Sequence, residues 1–415
     1  LYARYPLNRS PLSWRPSELP CAKPKAFYPT LVNRLLKVLK RTAIVVVILG
    51  VLLEGFTLVI RYPNPIAAVR LGLAPASKTP TLMPAHNIAP STTPIELPTG
   101  HENAPTTVTW QGSKVPWQEF LDKSYTNVLL ILRNGVITYQ YYRDGFTPTT
   151  RLPSYSVGKT MLSLVVGQLI AQGKIKESDT FVSYFPEYKT GGSFDKITVQ
   201  QLLDMQSGVG VSDNYPAGPS GWGVAIAQMY ATTDMRWFIK HNRKMAFEPG
   251  SKAVYRSVDP QLIGMIVKKV TGMTIAEYFS KNIWQPIGAL TPATWNVDRN
   301  NGIEKTFCCF NASAPDYAKV GLMVLNNGMV GDKHIIDAAW VKRLNTPVVT
   351  MDNWGYGAYM WHPFPGVSTM DGLHGQYVYI DPVTRTVIVK LSDVPTTMNL
   401  GVPTMDVFKD ISKKN

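Results

Sequence analysis

The longest uninterrupted apolar run in the chain is AIVVVILGVLLEGFTLVI, Ala43 to Ile60, broken only by Glu54 and Thr57 and bounded by Lys40-Arg41 and Arg61. As a helix it measures about 27 Å at ~1.5 Å per residue, close to the hydrocarbon thickness of a bilayer. It is apolar on all sides, which a half-buried globular helix is not, so it predicts a membrane span. Beyond it, prolines at 63, 65, 75, 80, 84, 90, 94, 98 and 105 interrupt a stretch with little periodicity, read as an extended spacer. Regular patterning starts near Val108. TNVLLILR and VITYQYYR flank Asn134-Gly135, the strongest short hairpin signal. QYVYIDP and TRTVIVKLS form a second antiparallel pair, and Thr404 to Lys413 reads as a closing helix. Helical periodicity covers Lys159 to Gln172, Thr198 to Met205, Asp259 to Thr271, Ile275 to Asn282, Ala314 to Asn326 and Ala338 to Arg343. Strands at both ends with helices between predict an α+β domain, in which the two ends build one antiparallel sheet around an inserted helical region. The divisions are a basic tail at 1–41, an anchor at 42–61, a spacer at 62–104 and a folded domain at 105–415.

Charge sharpens the topology. Of a formal +14, the first 41 residues hold nine Lys or Arg against one acidic residue, Glu18. Basic residues on that side of the span place it in the cytoplasm and everything after Arg61 across the membrane, as in a single-pass protein of a bacterial inner membrane with a periplasmic domain. Elsewhere no basic block is interleaved with aromatics, so a nucleic-acid partner is excluded. No small-residue cleavage site follows the apolar run directly, which favours an uncleaved anchor over a signal peptide. The chain opens on Leu1 with no Met, and residues before about Val32 are read as in part non-native. With 45% hydrophobic residues among 415, a sizeable core is available. Cys21 lies in the tail, while Cys308 and Cys309 are adjacent, a spacing unsuited to an ordinary disulfide, so packing is the expected role of the pair. The six histidines show no metal-ligand spacing, so no metal or other cofactor is expected.

SYSVGKTMLSLVVGQLI, Ser154 to Ile170, contains Gly158-Lys159-Thr160, which invites a phosphate-loop reading. That loop needs glycine where Pro153 stands, and it should leave a buried strand at once, so nucleotide binding fails. GPSGW from Gly218 lacks the second glycine of a hydrolase elbow because Trp222 takes its place. The remaining reading is nucleophilic chemistry. Ser156 at a helix start and Lys159 three positions on share one helical face, and a lysine serves as base only if its surroundings favour the neutral amine. The apolar helix after Lys159 supplies such surroundings. Tyr255 and Ser257 in EPGSKAVYRS precede another helix, and a phenol near the lysine can shuttle a proton. In MDGLHGQYVYIDP, Gly372 and Gly375 allow a strand edge to approach a ligand and present backbone amides.

The order SxxK, then YxS, then a glycine-bearing edge strand before a C-terminal helix resembles the serine β-lactamase and penicillin-binding superfamily. LLDMQSGVGVSDNY, EPGSKAVYRS, IWQPIGA, FCCFNASAPDYAKVGLMVLNNG and GLHGQYVYIDP together resemble its class C-like branch, and within it the 6-aminohexanoate-dimer hydrolases. The resemblance spans about 105 to 413 and implies a β-lactamase/transpeptidase-like fold. It implies Ser156 as acyl-forming nucleophile, Lys159 and Tyr255 as the proton-handling pair, and the backbone amides of Ser156 and Leu373 as oxyanion hole. Ser257, Gly372, His374, Asp213 and Tyr215 are the implied substrate-binding residues, with a structural role for His374 and a solvated loop for Asp213 and Tyr215 as the competing readings. The expected function is cleavage of small amides or esters; alternatives are a non-turnover receptor for penicillin or peptidoglycan, and a D-amino-peptide carboxypeptidase. One departure stands out: where lactamases place Lys or His with Thr-Gly to read a substrate carboxylate, this chain has Met370-Asp371-Gly372, which opposes β-lactam turnover. Trp354, Tyr356, Tyr359 and Trp361 are read as packing. Oligomeric state is left open.

Overall fold

The computed structural model describes residues 28–215 and 223–413. Cys21, the basic residues before Tyr28 and the GPSGW stretch at 218–222 lie outside them. The chain divides into a unit at 1–55 and a compact unit at 56–415. The first is carried by helix α1 (Tyr28–Val59), whose Val32–Val59 portion is long and apolar enough to cross a membrane.

The residues expected to form an extended spacer are instead built into the second unit. Asn64 caps helix α2 (Pro65–Leu73), its side chain accepting from Ala67 N at 2.9 Å, with Pro65 preset for the first turn. Ser77 bonds through backbone and hydroxyl to Asp393. Strand β1 (Ala85–Ile88) buries Ile88 completely. The prolines suit this path because they end each short element without needing a ladder partner.

The hairpin around Asn134-Gly135 is strands β2 (Thr126–Arg133) and β3 (Val136–Tyr142). Next come strand β4 (Leu152–Pro153), helix α3 (Val157–Ala171), helix α4 (Val224–Ala231) and helix α5 (Val258–Thr271). Strands β5 (Ala293–Asn296) and β6 (Phe310–Ala312) precede helix α6 (Ala314–Leu325). The C-terminal part adds β7 (Val349–Met351), β8 (Trp354–Gly357), β9 (Met360–His362), β10 (Ser368–Gly372), β11 (Gln376–Asp381), β12 (Thr386–Ser392) and helix α7 (Gly401–Ser412). The eight-stranded sheet runs β7-β8-β9-β10-β11-β12-β2-β3, so its antiparallel β12–β2 contact joins the two ends of the domain. A four-stranded sheet, β1-β5-β6-β4, was not anticipated from periodicity.

Strand β2 is apolar without alternation because both its faces are covered. Val128, Leu130 and Leu132 enter the main core with α3, whereas Leu129 and Ile131 pack under α7 against Met405 and Phe408. One further correction concerns the cysteines: Cys308 and Cys309 are disulfide-bonded to each other across a Cα separation of 3.7 Å. Cys309 lies in the left-handed region at φ 72°, a turn that local sequence gives no reason to expect.

Candidate active site

Strand β4 pairs with β6 and delivers the chain to Tyr155, a non-glycine residue at φ 43°. Such a backbone costs on the order of 1–3 kcal/mol and persists only where its surroundings hold it. Here the Tyr155 ring stacks on Tyr230 at 6.4 Å and meets His374 edge-on at 4.6 Å. The strained turn ends at Ser156, the cap residue of α3, so its hydroxyl stands at the helix N-terminus. Gly158 and Lys159 lie inside that helix. A Cβ on Gly158 would sit 3.1 Å from the Cys308 carbonyl, which leaves no phosphate cradle there.

Lys159 is 1% exposed. Its Nζ donates to Ser156 Oγ at 2.8 Å, to Ser257 Oγ at 3.2 Å and to the Phe307 carbonyl at 2.7 Å. Burial pushes the amine down to about 7, against the opposing charges of Asp213, Asp259 and Asp371. The amine therefore has a neutral form available near neutral pH, although it sits in a cage of oxygens. One of these was not singled out from sequence. The Phe307 carbonyl is invisible to any residue-type motif, and the bridged pair that follows it shapes its turn.

Tyr255 and Ser257 bracket the start of α5. The Lys159 Nζ lies 4.8 Å from the Tyr255 ring centroid, and the Ser156 side chain lies close enough to the phenol to favour its ionised form. Burial holds that phenol well above its usual range, so it stays protonated where Lys159 titrates. Trp361 stacks on Tyr255 at 5.6 Å and Tyr356 meets it edge-on at 6.1 Å, so the aromatic cluster expected to be packing orients this phenol. Ser257 donates through its hydroxyl to Asp213 Oδ2 at 2.5 Å and through its amide to Oδ1 at 2.8 Å. Lys159, Ser257 and Asp213 thus form one hydrogen-bonded line. Asp213 is raised by burial, and Tyr215 is raised by burial with Asp213, Tyr255 and Tyr230 nearby. Asp213 is thus tied into the site through Ser257, and Tyr215 is half-buried near it.

Strand β10 closes the site. A side chain at Gly372 would collide with the Ser154 carbonyl and come within 3.2 Å of Ser156 N, so only glycine lets the strand pass this close to the nucleophile. Leu373 follows it directly in the chain. Asp371, one residue earlier, is pushed up to about 7 by burial, with Lys159 opposing. His374 accommodates φ 67° and commits Nδ1 to the Val394 carbonyl at 2.6 Å, with burial lowering its basicity. Its ring supports Tyr155, which matches the structural alternative. The whole arrangement offers a hydroxyl, an amine whose charge is removable, a protonated phenol and backbone donors within one small volume.

Known proteins share this arrangement's frame. The family model described as Beta-lactamase matches residues 123–402. A 6-aminohexanoate-dimer hydrolase of Paenarthrobacter ureafaciens is 29% identical over 67% of this chain and 75% of that protein. An Escherichia coli protein assigned provisionally as a D-alanyl-D-alanine carboxypeptidase is 24% identical over 55% of this chain and 65% of its own length. Among solved structures, a Bacillus anthracis protein assigned provisionally to the 6-aminohexanoate-dimer hydrolases overlays with a TM-score of 0.73 at 23% identity, covering 84% of this chain and 94% of that one. The octameric penicillin-binding protein homologue of Pyrococcus abyssi overlays at 0.56 and 17% identity, covering 71% and 75%. At these identities the overlays speak for the fold.

Proposed function

Given that the chain belongs to the Beta-lactamase family of serine hydrolases, we propose that it cleaves small amide or ester substrates through an acyl-enzyme on Ser156. The observation that carries this reading is the 2.8 Å bond between Ser156 Oγ and a Lys159 amine whose burial brings its titration to about 7. In the neutral state Lys159 accepts the hydroxyl proton as Oγ attacks the carbonyl carbon. The negative charge that develops on the carbonyl oxygen is met by the Ser156 and Leu373 amides and by the N-terminal end of α3. Collapse expels the amine or alcohol, which takes a proton from the Tyr255 hydroxyl while Lys159 reprotonates the phenol. Water then attacks the ester, with the same pair working in reverse. Tyr255 is the poorer candidate for the base because burial keeps it protonated.

When ionised, Asp213 and Asp371 beside Lys159 argue on charge against substrates with a carboxylate next to the scissile bond, most strongly above about pH 7, where Asp371 has lost its proton. This favours neutral or ammonium-bearing amides over a D-amino-peptide carboxypeptidase role. We further propose that Val32–Val59 anchors the domain on the outer face of the inner membrane, a reading supported by the basic N-terminal flank.

A fluorophosphonate probe and 4-nitrophenyl acetate test the chemistry. Ser156 should be labelled and ester turnover should vanish in Ser156→Ala. Labelling without turnover would favour a receptor, and absence of labelling in folded protein would count against both readings. A panel of short amides, D-amino peptides and nitrocefin then sorts the substrate class.

A further inference from the structure

We propose that α2 lies in the surface of an anionic bilayer and seats the catalytic domain on it, an inference that rests on the reading of Val32–Val59 as a membrane anchor. Its nine residues are amphipathic in an unusual sense. Ala68 and Leu71 turn toward Ala227, Tyr230 and Ala231 of α4, lining one small cleft with them. Ile66, Val69 and Leu73 recur at i, i+3 and i+7 and are 68%, 58% and 78% exposed. Scattered apolar residues on a surface need no account, but three on one helical face leave a stripe that no described residue covers.

The surroundings say what covers it. Only five residues, 60–64, separate α2 from the end of α1, so the stripe starts where a spanning helix would leave the hydrocarbon. The connection is fastened to the domain: the Arg61 carbonyl accepts from Thr233 N at 2.8 Å and from Thr232 Oγ1 at 3.1 Å. Charge agrees. From Gly55 to Ile95 the chain has no Asp or Glu, while Arg61, Arg70 and Lys78 are exposed along it. An apolar stripe whose own stretch of chain carries basic residues and no acidic ones fits the boundary between acyl chains and anionic headgroups. On its inner side α2 reaches Tyr230, which stacks on Tyr155, the neighbour of Ser156. Seating α2 therefore fixes how the nucleophile stands relative to the bilayer.

The test uses the full chain in vesicles of three parts phosphatidylethanolamine to one part phosphatidylglycerol. p-Benzoylphenylalanine replaces, one at a time, Val51 in the span, Val69 in α2, and Val383, which is 88% exposed in the turn between β11 and β12. After irradiation, lipid adducts are quantified by mass spectrometry. The expected result is strong labelling at 51 and 69, with 69 at least about tenfold above 383. Labelling at 51 with 69 no higher than 383 overturns the seating of α2 and leaves the anchor standing. No lipid labelling at 51 overturns the anchor and the proposal with it. Adducts at 69 to a second copy of the chain in place of lipid also overturn it.

Discussion

Lys159 decides the chemistry through a contest between burial and charge. Burial favours the neutral amine, whereas Asp213, Asp259 and Asp371 favour the ammonium, and the balance lies at about 7. The amine works as a base only when neutral, so kcat/KM for 4-nitrophenyl acetate should rise with pH and level off above about 7. Asp371→Asn removes a charge that stabilises the ammonium once Asp371 is ionised, so this acid limb should move to lower pH; a limb that moves upward would contradict Lys159 as the titrating base. Lys159→Ala should reduce fluorophosphonate labelling by about 10²–10⁴, whereas Tyr255→Phe should retain a slower residual turnover. Gly372→Ala tests the close approach of β10. Its methyl group has no space between the Ser154 carbonyl and Ser156 N, so acylation should fall by about 10²–10³ through a displaced oxyanion site. A drop in KM affinity alone, with kcat retained, would contradict that placement.

Strand β12 shows what a buried element tolerates. It lies between β11 and β2, and its Lys390 is 1% exposed, donating to the Ser124 carbonyl at 3.0 Å and to Ser392 Oγ. Burial lowers this amine from 10.5 to about 7, and no carboxylate is paired with it among the described residues. Between those two values the unfolded chain binds more protons than the folded one, so stability rises as pH climbs from about 7 to about 10.5. Lys390→Met should remove that part of the rise and stabilise the protein at pH 7 by up to a few kcal/mol. Denaturant midpoints of both proteins at pH 7 and pH 10 measure it. A gain between the two pH values that is equal in both proteins would mean that Lys390 stays charged on folding. At this scale much was legible in the chain. The Asn134-Gly135 hairpin, α3, α5, α6 and α7 were all predicted to within a few residues, since each carries its own periodicity or turn signal. Strands of two to four residues, such as β4, β6 and β7, are too short for alternation to register.

The whole molecule depends on a segment that reads as a tether. Residues 62–104 supply α2, β1 and the Ser77–Asp393 bonds, and Ile88 fills a site closed to water. Removing a fully buried aliphatic side chain costs about 2–5 kcal/mol. A chain beginning at residue 105 should therefore lose its cooperative thermal transition, whereas one beginning at 61 should keep it; equal melting temperatures would restore the spacer reading. Sequence by itself determined the apolar helix, the two hairpins whose strands meet, and the three-residue interval that stacks Ser156 over Lys159. These are properties of neighbours along the chain, written in periods of two and 3.6. Only the tertiary structure decided that Asp213, Asp371 and the Phe307 carbonyl converge on one amine, that Cys308 and Cys309 are joined, and that a proline-rich stretch forms a wall of the domain. Those contacts bring together residues from distant parts of the chain or depend on backbone turns, and no local pattern of residue types encodes which carbonyl or carboxylate will share a buried volume.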